Sequence, residues 1–270
     1  MSTTQRTIFA LFMMILALTG ACVIAVEDPS AQGKFWPGGT FRKNLDLESG
    51  GAVSLDNGNG NVEILGWKDE KIEISAQGSR GAVKSPGIYF IGDRFSPPDV
   101  HVQSKNDVVI IRTDEAEFED PDDVVHYVLR VPHSVNLDSI RNGRGRISVS
   151  DIYGRALLDA DEGEIKVSNY SGSLDVRLGS GSLEAEILDL RPQDSVRIKV
   201  EHGDILLRLE PDVAARLIAE APAGNIRSEL DLGQPLPAHK VSLKLGSGQA
   251  SIELTALEGD ILLRKAEEKS

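Results

Sequence analysis

The sequence predicts an all-β chain folded as a β-solenoid, and three observations carry that prediction. Gly145, Gly154, Gly163, Gly172 and Gly181 fall nine residues apart. Each is followed two and four places on by an apolar pair: Ile147/Val149, Ala156/Leu158, Ile165/Val167, Leu174/Val176 and Leu183/Ala185. That period of two is the signature of a strand with one buried face. The turns also alternate in kind. Those before Gly145, Gly163 and Gly181 are polar and tight, whereas those before Gly154 and Gly172 carry Tyr153 and Tyr170. Like turns therefore recur every 18 residues. A coil of that length, made of two strand-turn units, would stack on its neighbours at about 4.8 Å and bury its pairs in ladders. One coil cannot bury its apolar face alone, so the array must be long.

Taken from the N-terminus, residues 1–21 have the layout of a secretory signal peptide: Arg6, then an uncharged, mostly apolar run from Thr7 to Leu18, then Thr19, Gly20 and Ala21. The run is short for a membrane span. Cys22, the only cysteine of the chain, follows it directly. The small residues before it resemble the lipobox of bacterial lipoproteins, with Thr19 where leucine is usual. A lone cysteine with no disulfide partner at the end of an exported apolar run is explained by lipidation. Cleavage by the ordinary signal peptidase near Ala21 or Ala25 is the alternative. By analogy with lipoprotein sorting in enterobacteria, Val23 after the cysteine favours the outer membrane. Residues 22–39 read as the lipidated N-terminus and a tether, broken by Asp28-Pro29 and Trp36-Pro37-Gly38-Gly39.

Residues 40–264 read as the solenoid domain. Its phrase first occurs at Gly51 with Val53/Leu55 and at Gly60 with Val62/Ile64. Trp67 reads as a strand-end packing residue. The repeat is then broken by a loop over residues 78–98, whose Tyr89, Phe90 and Phe95 are the candidate partner contact. The same rings would equally serve to cap an open end of the solenoid. A second loop, residues 114–123, lies between predicted strands Asp107–Arg112 and Val124–Val131 and holds seven carboxylates within ten residues. Carboxylates are Ca²⁺ ligands, but no EF-hand or β-roll pattern accompanies them. A solvated negative loop is the preferred reading.

Beyond the strict run, Gly203, Gly248 and Gly259 each lead a good apolar pair, and Gly224 leads a weaker one, Ile226 then Ser228. The spacing is irregular there, so loops are expected to interrupt the coils between Leu188 and Pro237. Pro211–Leu217 fits one helical turn or a strand that buries Val213, Ala215 and Leu217. Residues 265–270 read as a frayed charged tail. Aromatic residues make up only 5% of the chain, which suits a thin aliphatic core without large rings.

The formal charge of −13 argues against nucleic acid as a partner and against electrostatic adsorption to anionic lipid. No catalytic, cofactor-binding or metal-binding residues are identified. His101, His126, His133, His202 and His239 lack metal-ligand spacing, and no cysteine follows Cys22. There is no nucleophile elbow, P-loop or dinucleotide fingerprint. The competing enzyme class is the polysaccharide lyases and hydrolases built on β-helices. Its candidates here are the outward carboxylates Asp175 and Glu184, nine residues apart and on opposite sheets of a two-strand coil. That placement denies them joint action on one glycosidic bond.

The run Asn59-Gly60-Asn61-Val62-Glu63-Ile64-Leu65-Gly66-Trp67, the Val131-Pro132 step leading to Leu137, Asn142-Gly143-Arg144-Gly145-Arg146-Ile147 and the repeated Gly-x-Ile/Leu phrases resemble the bacterial putative-adhesin family of domains of unknown function. The resemblance spans about residues 40 to 264. It implies an exported, right-handed, single-stranded β-helix and transfers no catalytic residues. The expectation is a non-enzymatic cell-envelope solenoid that binds or scaffolds an envelope protein or surface glycan, held at the membrane by an N-terminal lipid. A ligand-free structural or sensor element in envelope stress is the further alternative.

Overall fold

The structure is a computed structural model that describes residues 31–33, 40–79, 99–114, 123–230 and 237–266. Eighteen strands and no helix occur among them: β1 (Ala31–Gly33), β2 (Thr40–Asp46), β3 (Ala52–Asn59), β4 (Val62–Trp67), β5 (Lys71–Ser79), β6 (Val100–Lys105), β7 (Val108–Thr113), β8 (Val124–Pro132), β9 (Asn136–Ser150), β10 (Ala156–Ser171), β11 (Leu174–Asp189), β12 (Ser195–His202), β13 (Ile205–Leu209), β14 (Ala215–Glu220), β15 (Ile226–Ser228), β16 (Lys240–Lys244), β17 (Ala250–Glu258) and β18 (Ile261–Lys265). The two units of each predicted coil are present as two arms. In β9, β10 and β11 both arms belong to one long strand that passes through Gly145, Gly163 or Gly181 without a break.

Parallel pairing stacks the coils as the nine-residue spacing predicts. Ala156–Ala160 of β10 lie against Leu174–Leu178 of β11, and Ile165–Val167 against Leu183–Ala185. Two interior columns result. The first arm aligns Val53, Leu137, Ala156, Leu174, Val196, Ile252 and Leu217, and the second aligns Val62, Ile147, Ile165, Leu183, Ile205, Ile261 and Ile226. All are buried. Each valine, leucine or isoleucine among them contributes about 1.5–3 kcal/mol by leaving water, and the outward residues between them carry the polar face.

The order of the coils in space differs from their order in the chain at both ends. The β3/β4 coil lies between β9 and the later β7/β8 coil. The β17/β18 coil lies between β12/β13 and the earlier β14/β15 coil. In the irregular region after Leu188 the chain lays the β14/β15 coil one level ahead and returns to fill the gap. Pro211–Leu217 leads into strand β14, with Val213, Ala215 and Leu217 buried as the strand alternative required.

Both ends are closed by antiparallel strands. At one end β5 pairs with β8 and β2 with β5, while β6 pairs with β7 and β1 with β6. The β6–β7 hairpin turns at Asn106 and Asp107, which both have positive φ, 50° and 57°. Asn and Asp tolerate this conformation, and the two-residue turn it makes matches strand twist. At the other end β16 runs antiparallel to β14. These strands cover the ladder edges that a bare solenoid would offer to other chains.

One corner of the stack is a column of glycines. Gly60, Gly145, Gly163, Gly181, Gly203, Gly259 and Gly224 each lie where a Cβ would stand 1.6–2.1 Å from a carbonyl oxygen of the adjoining level. No other residue permits so close an approach of backbone to backbone.

Phe41 and two tyrosine rings occupy the core, which corrects the expectation of a purely aliphatic interior. Tyr127 takes the place held by Ile or Val in the middle coils, and its hydroxyl lies 2.7 Å from Thr113 Oγ1. Thr113 Oγ1 donates to Asn57 Oδ1 at 2.9 Å, and Asn57 Nδ2 donates to Asn142 Oδ1 at 2.9 Å. Asn142 Nδ2 in turn donates to the Gly60 carbonyl at 2.9 Å. The second ring, Tyr170, has its hydroxyl 2.7 Å from both the Gly154 and Ser173 carbonyl oxygens and shares its one hydrogen between them. Burial raises the pKa of both hydroxyls above the ordinary tyrosine value, so both stay protonated donors.

Candidate functional site

The outward residues of the arms form columns of alternating charge. Arg146 faces Glu164 at 2.8 Å and Arg144 faces Glu162 at 3.4 Å across one level. Arg197 bridges Asp175 at 3.0 Å on one side and Glu253 at 3.5 Å on the other. Those two carboxylates, Asp175 the stronger, hold its guanidinium more firmly protonated. Glu184 is shared by Lys166, at 3.7 Å, and Arg208. Parallel in-register stacking would set like charges side by side at each level, and alternation removes that repulsion. Such exposed pairs are individually worth about 0–1 kcal/mol. Asp175 and Glu184 are thus partners of different cations in different arms.

The histidines are dispersed as well. His126 Nδ1 accepts from the Asn61 amide at 3.0 Å, His202 pairs with Glu258 at 2.9 Å, and the Nδ1–H groups of His133 and His239 donate to the Asp151 and Gly224 carbonyls at 2.7 Å each. No group of His, Cys, Asp and Glu side chains arranged to hold a metal ion occurs among the described residues. Of the acidic loop, residues 115–122 lie outside the described residues. Asp123 is not part of a solvated cluster: it is buried, and its carbonyl accepts from Asn59 Nδ2 at 3.0 Å. Burial follows because it immediately precedes β8 at the level of the Asn57 network. Cys22, Tyr89, Phe90 and Phe95 also lie outside the described residues. Trp67 ends β4 as expected, its indole N–H donating to the Lys71 carbonyl at 2.9 Å.

A cleft of about 380 Å³ opens at the corner opposite the glycine column, along the turns that link one coil to the next. It crosses four levels, from Ser134 and Asn136 through Tyr153–Arg155 and Ser171–Ser173 to Asp189, Arg191 and Asp194. Three steps of about 4.8 Å make it about 14 Å long. Its turns are fixed from beneath by Tyr170. They are fixed from the side by Ser173, which donates to Asp194 at 3.1 Å, and by Asp194, which accepts from the Arg191 amide at 2.8 Å. Arg155 is held by Asp138 at 2.5 Å. Tyr153 is 41% exposed, and its ring stacks on His133, with centroids 5.1 Å apart and planes 16° from parallel. Read along the chain, Tyr153 is only punctuation between strands. What distinguishes it from Tyr170 is that one ring faces solvent and the other the core.

A capped, parallel β-solenoid with ion-paired faces and a polar cleft along its turns defines the class of protein. Residues 133–264 match the family described as Toastrack DUF4097, a domain of unknown function. The match begins just before β9; the β3/β4 and β7/β8 coils precede it in the chain yet continue the same stack. Two solved structures are similar. A putative cell adhesion protein from Clostridium sporogenes ATCC 15579 has 13% identity and a TM-score of 0.47, over 84% of this chain and 100% of that one. A putative adhesin from Bacteroides fragilis NCTC 9343 has 12% identity and a TM-score of 0.31, over 84% and 97%. No curated protein matches the chain.

Proposed function

We propose that the chain is a non-enzymatic component of the bacterial cell envelope, exported, lipid-anchored through Cys22, and engaged in binding or scaffolding an envelope protein or surface glycan. The observation that carries this reading is the use made of the outward carboxylates. Asp175 and Glu184, the acid/base candidates of a polysaccharide-acting enzyme, are each tied to cations of adjoining coils and serve as cross-coil ion pairs. Retaining and inverting glycosidases need two carboxyls flanking one bond. The solenoid instead offers long, rigid surfaces whose turns are free to vary, which is the design of a binding scaffold.

Export of the full chain from a diderm bacterial host, wild type beside Cys22→Ala, tests the reading. The expected mature chain begins at Cys22, carries acyl mass, and sediments with the outer membrane, while the variant is soluble. An unmodified, soluble wild-type chain would sink the anchor. Failure of the soluble variant to co-sediment with isolated envelope fragments would sink the binding role.

A further inference from the structure

We propose that the cleft at Tyr153 is a glycan-binding site that takes a short neutral oligosaccharide, one sugar ring lying on the Tyr153 face. This rests on the envelope-binding reading above and names its ligand and place. Among the described phenylalanine, tyrosine and tryptophan residues Tyr153 is the most exposed, and its stack on His133 fixes its plane before any ligand arrives. His133 is itself anchored, since its Nδ1–H donates to the Asp151 carbonyl at 2.7 Å. A flat, immobile aromatic face beside a polar trough suits a pyranose, which presents C–H groups on one face and hydroxyls around its rim.

The charge of the trough points to a neutral ligand. Arg155 and Arg191 are balanced by Asp189 and Asp194, and Arg155 is further neutralised by Asp138. A phosphate or carboxylate ligand would meet no excess cation. A sugar hydroxyl donates and accepts at once, so it satisfies a mixed lining of guanidinium, carboxylate and serine groups. The trough is also longer than one ring, and its turn-by-turn rise of about 4.8 Å is comparable to the rise per unit of an extended sugar chain.

A peptide strand is disfavoured because the backbone of the turns is already used within and between coils. The Tyr153 amide donates to the His133 carbonyl at 2.7 Å, the Ser171 amide to Ile152 at 3.1 Å and the Asp194 amide to Arg191 at 2.9 Å. Strand addition needs free ladder groups, and recognition here falls to side chains. Two other clefts among the described residues lack an aromatic face: one lies over Arg42, Glu73 and Arg130, and one beside Leu206, Leu262 and Asp260.

The test is an amide NMR titration of the exported full chain with cellotriose, maltotriose, mannotriose and triacetylchitotriose at millimolar concentration. Shifts are expected at the amides of residues 134–136, 153–155 and 171–173 with at least one probe. Tyr153→Ala and Arg191→Ala should each weaken binding about tenfold, the loss of one good contact. Leu157→Ser, on the first-arm face, should leave it unchanged. Absence of shifts with all four probes, shifts confined to residues 88–95, or binding indifferent to Tyr153→Ala would overturn the assignment. Continued co-sedimentation with envelope fragments in that case would leave the proposed function standing and remove only the cleft.

Discussion

Replacing Gly163 by alanine tests whether the glycine column exists for backbone approach or only for backbone conformation. Gly163 has φ of +139°, and a Cβ there would stand 1.9 Å from the Gly145 carbonyl oxygen. Ordinary contact begins at 3.4 Å, so the corner must open by about 1.5 Å against a spacing of about 4.8 Å. That displacement breaks one or two inter-coil hydrogen bonds, each worth about 1 kcal/mol, and adds the ~1–2 kcal/mol of a side chain forced to positive φ, for a total of about 2–4 kcal/mol. Gly50 supplies the control. Its φ is +89°, but nothing lies within 4 Å of its would-be Cβ. Gly50→Ala therefore carries only the conformational cost, ~1–2 kcal/mol. In calorimetry the two should differ by the one or two hydrogen bonds, about 1–2 kcal/mol, or roughly 2–8 °C in melting temperature at about 2–4 °C per kcal/mol for a chain of this size. Equal losses for the two variants would refute the reasoning and leave φ as the whole explanation.

Three further outcomes are expected. Asn142→Leu, which gives the column the side chain seen two coils over at Leu178, leaves the Asn57 amide with only its Val125 acceptor and takes the side-chain donor from the Gly60 carbonyl, at a cost of about 1–3 kcal/mol each, read as a lower urea midpoint; a neutral result would show that the polar network is dispensable. Tyr127 and Tyr170 hold their protons in the folded state above the ordinary value of 10.0, so stability is unaffected below that pH and falls as pH rises past it, where only the unfolded chain ionises. Tyrosinate absorbance that develops for both rings without loss of β-sheet dichroism would contradict this. Arg197→Ala, which unties Asp175 from Glu253, should cost no more than about 1 kcal/mol and less at high salt, measured by urea unfolding at two ionic strengths; a loss of several kcal/mol would mean the ion-pair columns hold the coils together.

Much of the architecture was legible because it is local and repeated. The nine-residue glycine spacing fixed both the coil and the register, since a shift by one residue would turn Ile165 and Val167 outward and expose the whole column. The same alternation placed Lys166, Asp175 and Glu184 outside, where they are found. The order of the coils was not legible. Every parallel edge of a repeat accepts any coil with the same period, so the placement of β3/β4 beside β9, and of β17/β18 inside β14/β15, is decided by contacts far apart in the chain. The tyrosines show the same limit at one residue. Tyr153 and Tyr170 stand in like turns, but the backbone around Gly154 and Ser173 turns one ring inward to donate to two carbonyls and leaves the other flat on His133. The cleft has no signature in the chain because its lining residues, from Ser134 to Asp194, come from successive turns. Sequence alone determined which residues face in and out along each strand, through the period of two. Only the tertiary stacking decided which turns become neighbours, because that choice is made by long-range ladder hydrogen bonds and not by any local preference.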